Sequence, residues 1–174
     1  RYLCLSDIFA LGFTKEYHIW DKRDIFLFKH KMRGHLKNPK LYQRHCMENS
    51  DDHYFSYFDG LMRGRKVLAA DITPSYSGLK SERLEYIKQK FIERDIETKV
   101  VVLFRDPLSR IKSAVRFYLD RDDDTEGIEI NGTNFPEALK HYYRTDYCII
   151  RTRYEKIIGE VQAVFASDNI FFGF

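Results

Sequence analysis

The chain has 174 residues, 44% of them hydrophobic and 32% charged, with a formal net charge of +3. That suffices for one domain with a sizeable core, is too apolar for a disordered chain, and is too weakly basic to indicate nucleic acid by itself. No apolar run approaches the roughly 18 residues of a membrane span.

The elements follow in chain order. Arg1–Phe9 reads as the end of an element, with no signal-peptide pattern. GFTKEYHIWD then places Glu16, His18 and Asp21 close together. On an extended segment Glu16 and His18 project to the same side. A carboxylate beside an imidazole can accept a proton from a hydroxyl or amine. Ordinary charge pairing among Lys15, Glu16 and Asp21 around a hydrogen-bonded His18 would use the same residues.

Lys29–Ser50 is basic and His-rich and reads as irregular, either a solvated face or a hold on an anionic acceptor. KVLAAD (Lys66–Asp71) predicts a short strand that ends at a Pro-containing turn. Leu84, Ile87 and Phe91 repeat at helical spacing, with Ser81 as the expected cap and Glu82 in the first turn. KVVVLF (Lys99–Phe104) has the β-branched run of a strand buried on both faces. Leu108, Ile111, Val115 and Tyr118 form the buried stripe of a second helix. Asp120–Thr133 is acidic and carries turn residues. Asp122, Asp124, Glu126 and Gly127 imitate the opening of a calcium loop, but Thr133 stands where a bidentate Glu is needed, so no metal is expected. Tyr154, Ile157, Val161 and Val164 mark a third helix, and NIFFGF (Asn169–Phe174) a last strand. Cys4, Cys46 and Cys148 are scattered, without CxxC spacing, and read as free thiols in a reducing compartment. A cytoplasmic location follows as the expectation. The sequon Asn131-Gly132-Thr133 matters only in a secreted protein.

Strands alternating with helices predict an α/β fold, a parallel sheet flanked by helices, whose ligands bind beyond the C-terminal ends of the strands. Thr73–Tyr76 and Arg105–Ser113 occupy those positions. At the second, Asp106 is a good cap and Pro107 suits the first helical position. The helix N-terminus beside Arg105 makes an anion site to which a guanidinium fork is well matched. Ser109, Ser113 and Arg116 share a face away from the apolar stripe. A plain capped helix with solvated Arg and Ser side chains has the same pattern.

R-D-P-x-x-R-x-x-S at Arg105–Ser113 resembles the 3′-phosphate-binding motif of sulfotransferases that use 3′-phosphoadenosine 5′-phosphosulfate (PAPS), in particular their heparan-sulfate and bacterial branches. The resemblance implies that Arg105 and Ser113 hold the donor's 3′-phosphate, with Arg110 a further cation of the motif. KEYHIWD resembles the K-E-x-H-F-F-D segment of the glucosaminyl sulfotransferases. It implies Glu16 as catalytic base, His18 and Asp21 as supporting residues, and Lys15 beside the base. DITPSYSGL resembles the family's E-K-[ST]-P-x-Y stretch, which implies Thr73 and Tyr76 in the acceptor cleft; the family Lys falls at Ile72. DNIFFGF is similar to the family's late strand.

What the resemblance implies is a single domain over 1–174 with a P-loop-NTPase-like sulfotransferase fold. PAPS would be the donor, no metal would be required, and the acceptor would carry a hydroxyl or amine, carbohydrates included. The family's G-x-x-K-x-G-T-T phosphosulfate loop is absent from the sequence, so the expectation is a chain truncated at both ends, with Arg1–Phe9 the tail of the helix after that loop. Two rivals remain: a P-loop-type kinase, which lacks its G-x-x-x-x-G-K-[ST] here, and a non-catalytic anion-binding module. No nucleic-acid partner is expected.

Overall fold

A computed structural model describes residues 7–10, 12–29, 38–63, 67–121, 126 and 134–174. Among the described residues the architecture is mixed α/β and mostly helical, with two small parallel two-stranded sheets. The chain divides into two compact units, Arg1–Thr98 and Lys99–Phe174.

In the first unit, β1 (Phe9–Ala10) pairs in parallel with β2 (Leu68–Ala69), Phe9 opposite Leu68. Phe9 therefore lies in a strand and not in the tail of a helix. Between the two strands come α1 (Trp20–Asp24), a 3-10 turn (Phe26–Phe28), α2 (Pro39–Asn49) and α3 (Asp51–Leu61). After β2 follow a 3-10 turn (Pro74–Gly78) and α4 (Ser81–Ile92).

Helix α2 corrects the reading of Lys29–Ser50 as irregular throughout. Asn38 accepts the Lys40 N–H at 3.0 Å and Pro39 takes the first helical position, so the basic segment starts a well-capped helix. Ser50 caps α3 in the same way, accepting the His53 N–H at 3.3 Å. Helix α4 carries the predicted Leu84–Ile87–Phe91 spacing, but its N-cap is Lys80, and Ser81 is already helical. The chain turns into the helix one residue early, directly after the buried Leu79.

The core of this unit is largely aromatic. Tyr17, Trp20, Tyr54, Phe55, Phe58 and Phe91 are buried. Their rings meet edge-on or tilted, Trp20 to Tyr54 at 5.0 Å and Phe55 to Phe91 at 5.0 Å, the arrangement that ring quadrupoles favour. Arg23 and Arg83 lie over the Trp20 ring at 5.0 and 4.9 Å. Gly12 is required by this packing: a Cβ there would fall 1.8 Å from the Tyr17 hydroxyl.

In the second unit β3 (Val100–Leu103) pairs in parallel with β4 (Ile170–Gly173), Val100 opposite Ile170. They are joined through α5 (Pro107–Arg121), α6 (Phe135–Tyr142), α7 (Asp146–Thr152) and α8 (Tyr154–Gln162). Ile111 and Val115 of α5 pack with Ala138, Tyr142 and Cys148 of α6 and α7.

Two expectations change in this unit. β3 is not buried on both faces: Val101 and Leu103 are 65% and 74% exposed, because the sheet has two strands and alternate residues point away from its packed side. Leu108 is 54% exposed, since the cover that α6 and α7 give to α5 begins at Ile111. The acidic segment Asp120–Thr133 falls mostly outside the described residues, as do Cys4, the sequon and most of the calcium-like loop. Glu126 is described and buried. Arg151 pairs with its carboxylate, and the Tyr142 hydroxyl donates to it at 3.1 Å. Its oxygens thus serve the fold of this unit.

Candidate active site

The first unit builds its polar cluster on the segment between β1 and α1. Tyr17 and Ile19 point into the aromatic core, at 0% and 1% exposure, which turns Glu16 and His18 to the other side. The alternation matches that of an extended segment, although His18 itself is left-handed, at φ = 56°. A backbone bond from the Ile72 N–H to the Lys15 carbonyl, 2.7 Å, lays the segment beside the chain leaving β2.

Glu16, His18 and Asp21 form a chain of contacts. His18 Nδ1 lies 2.7 Å from Asp21 Oδ2, and His18 Nε2 lies 3.4 Å from Glu16 Oε2. An ionised carboxylate only accepts, so Nδ1 carries the proton that points at Asp21. Nε2 is then the nitrogen that faces Glu16 Oε2.

The two carboxylates differ sharply in setting. The Asp21 side chain is 1% exposed and that of Glu16 is 30% exposed. Burial works against the Asp21 charge. The hydrogen bonds from His18 and Ser75 and from the Lys22 backbone N–H outweigh it, and the pKa of Asp21 lies below the usual carboxylate value. Lys15 Nζ reaches Glu16 Oε1 at 2.8 Å, and that hydrogen bond raises the lysine's pKa. Arg44 of α2 donates to the Glu16 carbonyl at 2.8 Å, so one cation of the basic segment positions the Glu16 backbone.

Residues after β2 complete the cluster. Thr73 is buried, and its Oγ1 accepts the N–H groups of Tyr17 and His18 at 2.9 and 3.3 Å while donating to Asp71 Oδ1 at 2.5 Å. The Tyr76 hydroxyl accepts the Ile19 and Trp20 N–H groups at 3.1 and 3.5 Å. Between them these two side chains hold four consecutive amides. His18 takes φ = 56° within this hold, a left-handed conformation uncommon outside glycine.

Two members of the cluster escaped sequence reasoning. The Ser75 hydroxyl donates to Asp21 Oδ2 and lies 3.5 Å from His18 Nδ1. Asp71 accepts from Thr73 and from the Tyr54 hydroxyl, the latter at 3.1 Å. Burial pushes the Asp71 pKa up to about 6, partly offset by hydrogen bonds from Thr73, Tyr76 and Tyr54. The signal for both was a carboxylate closing an apolar run, followed by hydroxyls two, four and five residues on.

The second unit holds the other predicted residues. Arg105 follows β3 and is exposed, with no carboxylate in ion-pair reach among the described residues. Its carbonyl accepts from the Tyr154 hydroxyl at 3.0 Å, which anchors the backbone and leaves the guanidinium outside. Asp106 Oδ1 accepts the Ser109 N–H at 2.7 Å, the helix cap that its sequence position suggested. Ser113 is exposed on α5. Arg110 differs from both. It is half-buried, its Nη1 is shut away from solvent, and its charge acts on Tyr142 and Cys148 of the core.

Among the described residues no group of three or more His, Cys, Asp or Glu is placed to hold a metal ion. No helix of the described residues is long and apolar enough to cross a membrane. Comparison with protein-family models, with curated proteins and with solved structures finds no match to the chain.

Proposed function

We propose that this chain carries out sulfuryl transfer from PAPS to a hydroxyl or amine acceptor, and that its parallel strands belong to a P-loop-NTPase-like sulfotransferase fold. The observation that carries the reading is the Glu16–His18–Asp21 chain: an accessible carboxylate, backed by an imidazole, backed by a buried carboxylate that orients the imidazole. Support also comes from the resemblance of three segments, in family order, to sulfotransferase motifs.

The residues present suit the donor. Arg105 offers an exposed guanidinium outside any ion pair among the described residues, and Ser113 an exposed hydroxyl on the helix that begins beside it. Both groups suit a phosphate dianion. Bound, the donor supplies an activated sulfuryl group. Glu16 takes the acceptor proton, which frees the acceptor's lone pair for sulfur. His18 and Asp21 hold the base in place and spread the charge that arrives with the proton. Arg105 and Ser113 retain the 3′-phosphate of the departing 3′,5′-adenosine bisphosphate. Positioning and charge stabilisation account for most of such a rate enhancement.

The test is calorimetric titration with 3′,5′-adenosine bisphosphate, with ATP and magnesium, and with a short oligonucleotide. Tighter binding of the bisphosphate, lost in Arg105→Ala, is expected. Glu16→Gln should keep that binding and lower sulfuryl transfer by roughly 10²–10⁴-fold, the usual contribution of a general base. Equal or tighter binding of ATP with magnesium would sink the reading in favour of a kinase.

A further inference from the structure

The Thr73 hydroxyl has one donor and two acceptor sites. All three are used: the proton goes to Asp71, and the lone pairs receive the Tyr17 and His18 N–H groups. The left-handed bend of His18, φ = 56°, lies between its own N–H, held by Thr73, and the Ile19 N–H, held by the Tyr76 hydroxyl. The bend is what points the His18 ring back along the segment, with Nδ1 on Asp21 and Nε2 on Glu16.

From this geometry we infer that Asp71 and Thr73 form a positioning strut, which fixes the His18 turn and thereby the tautomer and aim of its imidazole. The inference deepens the function proposed above, since it rests on His18 backing the base. It assigns Thr73 a different task from the acceptor contact implied by family resemblance: its polar atom is buried and spent on the backbone. Asp71 acts one step further back. By taking the Thr73 proton it compels the lone pairs of Oγ1 to face the two amides. Tyr54 shares the load by donating to the other Asp71 oxygen at 3.1 Å. Neither Asp71 nor Thr73 need touch the reacting atoms.

The strut can be tested without any turnover. A long-range ¹H–¹⁵N spectrum of the imidazoles reports which nitrogen of His18 carries the proton. The wild-type protein should show the Nδ1-protonated form bonded to Asp21. Thr73→Val keeps the β-branched shape and removes the oxygen, and the His18 signals should then become those of mixed tautomers. Thr73→Ser restores the oxygen and should restore the wild-type pattern. An unchanged His18 pattern in folded Thr73→Val would overturn the strut, as would Thr73→Ser behaving like Thr73→Val. If Thr73→Val does not fold, Asp71→Ala tests the same link: loss of the single-tautomer signature supports the strut and its persistence overturns it. Because the readout is spectroscopic, the strut stands or falls separately from sulfuryl transfer. Failure of bisphosphate binding would leave the tautomer result intact.

Discussion

The side chains of Glu16, His18 and Asp21 each meet a protein partner, whereas those of Arg105 and Ser113 stand exposed and the bond at Arg105 goes to its carbonyl. The backbone of the first region is held at many points. Thr73 and Tyr76 hold four amides, and Arg44 holds the Glu16 carbonyl. The second is a surface waiting for charge. The contrast suits the two parts of the proposed function. A proton acceptor gains from a fixed aim, because misplacement costs rate. A grip on a phosphate gains from accessible, permanently charged groups, because the ligand supplies the missing order. Substitutions in the first region should therefore register in stability, and those in the second in binding.

The largest expected effect comes from removing the floor of the first region. Trp20 is fully buried against Tyr54, Phe55 and Tyr86, directly before Asp21. Trp20→Ala should destabilise the protein by about 3–5 kcal/mol, as large-to-small core changes of this size do. Denaturant unfolding followed by tyrosine fluorescence would measure it. A loss below about 1 kcal/mol would show that the aromatic core does not support the cluster.

How much of this was legible beforehand depended on distance along the chain. Glu16 and His18 share a side because Tyr17 and Ile19 take the other, and alternation in one short segment exposed that. The Asp106 cap and the exposed Arg105 were legible for the same reason: each depends on its immediate neighbours. Ser75 and Asp71 were not. Ser75 meets Asp21 across 54 residues, and no spacing rule spans that separation. Helix α2 was hidden because the basic, His-rich composition of Lys29–Ser50 read as irregular and the cap at Asn38 went unused, and α3 was hidden because the cap at Ser50 went unused. β3 misled in the opposite direction. A run of Val and Leu is the same whether a strand lies inside a wide sheet or in a pair with one open face.

A second prediction concerns pH. The Asp71 pKa is about 6 in the folded protein, against 3.8 for the free side chain. The folded state thus binds this proton more tightly than the unfolded chain. Its contribution is fully present below about pH 3.8 and is lost as pH rises through about 6. At about 1.4 kcal/mol per pH unit, the loss is on the order of 3 kcal/mol at most. Asp21 has the opposite sign. Its depressed pKa contributes stability at neutral pH that disappears in acid. Asp71→Asn should remove the decline between about pH 4 and 6 and leave the acid limb in place. Unfolding midpoints across that range would show it, and an unchanged slope in the variant would mean that burial of the Asp71 carboxylate is not felt.

A smaller effect belongs to the second region. Asp106→Ala removes the oxygen that accepts the Ser109 N–H and leaves α5 without that cap. A modest fall in thermal midpoint is expected, well short of that for Trp20→Ala. The hydrogen bond from Ser109 holds the Asp106 pKa below its usual value, so the cap is present at neutral pH and lost as pH falls through that depressed value. The difference between wild type and Asp106→Ala should therefore shrink in strong acid.

The smallest stability effect should come from the residue with the largest effect on binding. Arg105→Ala removes a guanidinium with no ion-pair partner among the described residues, while the bond from Tyr154 goes to the Arg105 carbonyl and survives the substitution. The change in unfolding free energy should stay within about 0.5 kcal/mol, as for surface positions without special contacts. Ser113→Ala should be equally silent, since its hydroxyl is exposed on α5. Circular dichroism melts of both variants, run beside the bisphosphate titration, separate two meanings of lost binding. Lost affinity with an unmoved melt places the guanidinium at the ligand. A melt lowered by several degrees would make Arg105 part of the scaffold, and the division between a backbone-anchored proton acceptor and an open anion grip would no longer hold.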